Sequence, residues 1–199
     1  MAVDISGMMS ENVMLIDAEY VDKVAFDLSV NFERMLERRI PKADLAHWLD
    51  CIALDGGIEP GNNEIQVIFL YDKKRKKLEN FIPTDMESEI GGMAFKDNIG
   101  EFAMEAYPVA EDMTTKEDFY MEALKIIMDN EKTKCVMLLP DVEKYGMAVK
   151  DFLCKNRSKN KGKEVTLFAM EPQTGTGFGQ QILGYSIMSA LGISGKEIG

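Results

Sequence analysis

The chain of 199 residues contains one histidine, His47, so nothing pairs with it as a second imidazole. It sits mid-helix beside Trp48, with no serine or cysteine nucleophile pattern around it, and reads as a partly buried structural residue. Histidine-dependent nucleophilic catalysis is therefore disfavoured. Cysteine is scarce too: Cys51, Cys135 and Cys154 are odd in number and widely spaced. With no CxxC pair, neither a disulfide framework nor a zinc knuckle is indicated, and a reducing cytoplasm is the expected location. No apolar run approaches the roughly 20 residues of a membrane helix, so no membrane partner is expected. The opening MAVDISGMMSEN has neither a basic nor an apolar signal region, so secretion is not expected. Positive charge is the minority: 23 Lys and Arg stand against 34 Asp and Glu, a net −11. Polyphosphate binding needs clustered cations, so RNA is disfavoured as a partner, although a local basic patch stays open.

What the chain does have is apolar residues, 46% of the total and enough for a sizeable core. Its 15 methionines make that core or an interface adaptable. Three short apolar runs, 13–16, 65–71 and 135–139, lead into Asp17, Asp72 and Pro140-Asp141. Fully apolar runs read as buried parallel strands, and ligand sites of open α/β sheets lie beyond their carboxyl ends. Helical periodicity covers 21–40, stopped by Pro41, with Val24, Leu28, Phe32, Met35 and Leu36 on one face. A second helix from about 42 to the Gly56-Gly57 pair turns Leu45, Trp48, Leu49 and Ile52 inward. Further helices follow Thr114-Thr115 and Asp141, and 165–170 is the last strand expected. Residues 1–11 read as a frayed lead-in, and 78–82 as a strand returning from 65–71. Residues 86–95 read as weakly helical, and 102–109 as an edge strand. The fold expected is α/β, a mostly parallel sheet with helices on both faces, a Rossmann-like three-layer sandwich. Residues 12–171 make one domain; 172–199 are a glycine-rich linker and an apolar C-terminal helix.

Four constellations bear on function. The first is the carboxylate set Asp17, Glu19, Asp118, Asp141 and Glu143. Convergent acids suit Mg²⁺ or Mn²⁺ and metal-assisted phosphodiester hydrolysis. The ordinary alternative is helix capping, which stabilises by about 1 kcal/mol. The second is Lys73, Lys74, Arg75, Lys76 and Lys77, either a phosphate-binding patch or the solvated tip of a hairpin. No aromatic residue interleaves that run, so base stacking has no support. The third is Gly175-Thr176-Gly177-Phe178-Gly179, a flexible link or a phosphate cradle at a helix start; the spacing is not GxGxxG. The fourth is the C-terminal helix, apolar around much of its girth, which packs on its own domain or forms a homo-oligomer.

The segments MLIDAEYV and CVMLLPDVEKYGMAVKDFL followed by GKEVTLFAM resemble the strand–acid–helix units of NYN/PIN-like ribonuclease domains. That resemblance implies a metal-dependent ribonuclease with Asp17, Asp118 and Asp141 as catalytic acids, Glu143 replacing a second aspartate. Tyr20 stands where those domains usually carry Asn, and Pro140 replaces their small approach to the later acid. The phrases SENVMLIDAEYV, ALDGGIEPGNNEIQVIFLYDK and GEFAMEAYPVAEDMTTKEDFYMEALKIIMD resemble an uncharacterised family of Bacteroidales proteins, which implies a bacterial intracellular protein and no particular reaction. Three readings result. The leading one is an interaction or assembly module with an eroded acidic site. The others are a metal-dependent ribonuclease and a nucleotide-phosphate binder using the glycine loop.

Overall fold

Strand β1 (Asn12–Asp17) runs straight into α1 (Ala18–Leu36) because Asp17 caps the helix: its side chain accepts the Tyr20 N–H. The computed structural model describes residues 5, 7 and 9–199. After α1 come β2 (Ala43–Asp44), α2 (Leu45–Asp55) and β3 (Asn63–Asp72). Then follow β4 (Phe81–Ile82), one π-helical turn (Met86–Ile90), β5 (Ala94–Lys96) and β6 (Gly100–Val109). The second half holds α3 (Lys116–Asp129), β7 (Cys135–Leu139), α4 (Val142–Lys155) and β8 (Glu164–Ala169). Strand β9 (Gly179–Ile182), α5 (Leu183–Ala190) and α6 (Gly195–Ile198) close the chain.

Seven strands form one sheet in the order β5-β6-β3-β1-β7-β8-β9, parallel except for β5. Numbered along the chain, the six parallel strands lie in the order 3-2-1-4-5-6, the doubly wound arrangement. The switch point falls between β1 and β7. Alternation along β1 explains the two cores. Met14 and Ile16 join α1, α2 and α5 on one face, while Val13 and Leu15 join α3 and α4 on the other. Trp48 and Phe81 are fully buried, with ring centroids 5.2 Å apart. Each such side chain contributes about 1.5–3 kcal/mol by leaving water.

The α/β architecture and helices on both faces match the expectation from sequence; several local readings differ. Helix α1 ends at Leu36, before Pro41, because Glu37 turns left-handed (φ 50°), and this leaves Met35 exposed. Ile5 and Met9 are buried in the second core, so part of the expected lead-in is packed; residues 1–4, 6 and 8 lie outside the described residues. Residues 78–82 do not return along β3. Instead β4 pairs with β2 in a separate two-stranded sheet. Residues 86–95 hold the π-turn and the start of β5, which pairs antiparallel to β6, so β6 is not the outermost strand. The β5 pairing reaches only Glu101–Ala103, and Pro108 lies in the stretch of β6 that β5 leaves uncovered, where a missing N–H costs no ladder bond. The expected linker contains β9, parallel to β8, and α5 packs on α1 and α2 with Leu183 and Ile187 fully buried.

Candidate acidic cleft and basic groove

The carboxyl ends of β1, β3 and β7 are adjacent in the sheet, so Asp17, Asp72 and Asp141 reach the wall of one cleft of about 350 Å³. Glu19, Lys116 and Tyr145 line it as well. This is the switch-point position where ligands of doubly wound sheets bind.

Asp17 is 3% exposed and fully bonded. Its Oδ1 accepts from the Tyr20 N–H at 3.2 Å and from the Lys116 ammonium at 3.3 Å; its Oδ2 accepts from the Tyr145 hydroxyl at 2.5 Å. Lys116 also donates to Glu19 Oε2 and, at 3.3 Å, to the Leu70 carbonyl. Glu19 uses its other oxygen on the Asp72 N–H at 2.6 Å. Asp72 in turn accepts the Lys74 N–H at 2.9 Å. Asp141 caps α4 through the Lys144 N–H at 3.2 Å, with the Lys144 ammonium 3.6 Å from its second oxygen. Three strand-end acids therefore serve as helix caps or turn acceptors, and one lysine neutralises the deepest of them.

Tyr145 reaches Asp17 because α4 is distorted at that residue (φ −136°, ψ 20°), one turn after its cap. Burial first, then the charge of Asp17, pushes the Tyr145 phenol far above its ordinary range. It is a fixed donor at neutral pH. Burial, then Glu143, Asp141 and Asp17, raises the Tyr20 phenol to about 12. The Asp141 carboxyl is raised by burial and next by Asp17. Tyr120 stands behind, its hydroxyl donating to the Leu15 carbonyl at 3.0 Å and its ring 5.3 Å from that of Tyr145.

The structure separates the rest of the expected acid set. Asp118 is exposed in the first turn of α3 and accepts from the Thr115 hydroxyl at 2.8 Å. Glu143 is exposed and pairs with Lys23 at 3.0 Å. Neither lines the cleft. Among the described residues, no group of three or more His, Cys, Asp and Glu side chains is arranged to hold a metal ion. The donor set does not fit Mg²⁺ or Mn²⁺, because the ammonium of Lys116 stands between Asp17 and Glu19, the two acids nearest to sharing an ion. Lys116 and Tyr145 were missed in the sequence. The usable signal for Lys116 was a lone cation at the first position of a helix, where the macrodipole favours acids.

A groove of about 720 Å³ adjoins the cleft, between α1 and the segment after β3. Lys74, Arg75, Lys76 and Lys77 form one wall, and Phe26 from α1 contributes an aromatic ring that is 54% exposed. Lys73 is exposed and lies outside its lining. Arg75 lines both hollows. The basic run is therefore no hairpin tip. Its backbone is pinned: Arg75 N–H donates to the Asp72 carbonyl at 2.7 Å, and the Lys76 carbonyl accepts from Met86 at 2.8 Å.

The glycine loop at 175–179 leads into β9 rather than opening a helix. Gly177 (φ +90°) passes the Leu153 carbonyl so closely that a Cβ would sit 3.0 Å from it, which gives the glycine a packing role. His47 also differs from expectation. It is exposed, with Nε2 2.9 Å from Ser189 Oγ and 3.8 Å from Cys51 Sγ. Burial pushes the Cys51 thiol up, which favours its protonated, less nucleophilic form.

Sheet order, switch-point cleft and capped acids define a doubly wound α/β domain with an acidic cleft in which Lys116 bridges Asp17 and Glu19. The chain belongs to a family of unknown function, DUF6621, whose model matches residues 6–198. Comparison with curated proteins and with solved structures returned no match. No helix among the described residues is long and apolar enough to cross a membrane.

Proposed function

We propose that this chain is a cytoplasmic interaction module on a PIN/NYN-like fold, its acidic site turned from a cation-binding centre into a closed ion-pair cluster. The observation that carries this reading is the Lys116 ammonium, held by Asp17, Glu19 and the Leu70 carbonyl. A lysine there supplies the positive charge that a divalent ion would bring, without the exchangeable water that metal-assisted hydrolysis needs. Tyr145 holds the other oxygen of Asp17, and Asp118 and Glu143 are engaged elsewhere. What remains open to a partner is surface, chiefly the basic groove beside the cleft and the outer side of α5 around Tyr185.

The test is calorimetric titration of the protein with Mn²⁺ and Mg²⁺, joined to incubation with single-stranded RNA. No heat of specific binding and no cleavage are expected. Mn²⁺-dependent cleavage that disappears in Asp17→Asn would establish the ribonuclease reading instead.

A further inference from the structure

The acids and bases that line the 720 Å³ groove are not equally occupied. Asp22 accepts from the backbone N–H groups of Glu79 and Asn80, at 3.1 and 2.8 Å. Glu19 is taken by Lys116 and by the Asp72 N–H. On the basic side, Lys23 pairs with Glu143 and Lys76 with Glu87. Among the described residues, Lys74, Arg75 and Lys77 form no close ion pair, although the charge of Lys77 helps to lower the Asp85 carboxyl across the bridge that joins the two residues. Two of the three acids in the lining are thus spent inside the protein, Glu79 alone excepted, while Lys74, Arg75 and the partly shared Lys77 stand beside an exposed phenylalanine ring.

We propose that this groove docks a short acidic peptide segment of a partner protein, its carboxylates on Lys74, Arg75 and Lys77 and one apolar side chain against Phe26. Charge complementarity carries the choice of an anion. The extent of the patch carries the choice of a peptide. Three cations, one of them shared with Asp85, serve two or three carboxylates, whereas a polynucleotide needs a longer basic track and successive stacking rings. Here one ring is offered, and the basic wall is four residues long. The pinned backbone of the basic run spares binding the cost of ordering the main chain there. This proposal rests on the reading of the domain as an interaction module but not on the closed state of the acidic cleft.

The experiment is fluorescence anisotropy of the full chain with a fluorescein-labelled octapeptide of Asp and Glu around one central Leu. The same peptide with Lys for every acid and an octamer of uridylate are run beside it. Saturable binding of the acidic peptide alone is expected, weakened at least tenfold in Lys74→Glu/Lys77→Glu and several-fold in Phe26→Ala. Lys132→Glu, an exposed change away from the groove, should leave it unaltered. Circular dichroism checks that each variant folds. Absence of saturable binding, or equal loss in Lys132→Glu, would overturn the proposal. Tighter binding of the uridylate octamer would do so as well and would make the groove a nucleic-acid surface. The Mn²⁺ titration is independent of all three outcomes, so failure here is distinguishable from an open metal site.

Discussion

Replacing Lys116 with methionine keeps an unbranched side chain one atom shorter and removes its charge. Asp17 and Glu19 then face each other without their shared cation, while Tyr145 and the α1 cap still hold Asp17. Stripping one partner from a buried ion pair costs about 3–5 kcal/mol. The side chains of Lys116 and Asp17 are 15% and 4% exposed, but that of Glu19 is 25% exposed, which places the expected loss near the lower end, about 3 kcal/mol. With a urea slope of about 2–3 kcal/mol/M, the unfolding midpoint should fall by about 1–1.5 M. Asp17→Asn/Lys116→Met should recover part of the loss, because Asn still caps α1 and no longer brings a charge. The four proteins of that cycle should give a coupling of about 1–3 kcal/mol. It should survive 1 M NaCl, which screens exposed pairs far more than enclosed ones. A Lys116→Met protein within about 0.5 kcal/mol of wild type, with additive double-mutant behaviour, would refute the ion-pair cluster.

Tyr145→Phe removes a donor to a buried carboxylate and should cost about 1.5–3 kcal/mol in urea titration, more than an ordinary surface change. Asp50 raises a pH effect. Burial first, then hydrogen bonding and repulsion with Asp97, lifts its carboxyl to about 7, and its Oδ1 is buried with no partner. The folded state thus holds that proton more tightly than the unfolded chain, and stability should fall as pH rises from about 4 to 7. Asp50→Asn should raise the melting temperature more at pH 8 than at pH 4, and an equal effect at both would count against the shared proton. Truncation after residue 171 should abolish cooperative unfolding, because it strips Leu183, Ile187 and Leu191 from the first core. A truncated protein that melts cooperatively at lower mass would favour the assembly role of the C-terminal helix. A nucleotide panel should leave the melting temperature unchanged, since the glycine loop opens no helix; a clear upward shift would restore the phosphate-binding reading.

The parallel sheet and its rim of acids were legible because both are local signals. Buried strands are apolar runs of four to seven residues, and an aspartate after such a run is either a cap or a site. Asp17, Asp72 and Asp141 converge because their strands are neighbours at the switch point. What the pattern could not carry is whatever depends on a second segment. β9 reads GQQI, with one apolar residue, and becomes a strand only by pairing with β8. β4 finds its partner in β2 across the α2–β3 excursion. Phe26 lies on α1, far in sequence from the basic run, so the ring beside those lysines was invisible. Asp118 lies in the first turn of α3, whose start Thr114-Thr115 announced: its N–H donates to the capping Thr115 side chain, and its carboxylate accepts from the Thr115 hydroxyl.

Arg75 belongs to two hollows, and its guanidinium cannot serve both in full. A group that binds against α1 therefore meets a cation that also borders the mouth where Asp17 and Asp141 lie. A single side chain just beyond β3 thereby borders both the inner cleft of the domain and its outer face.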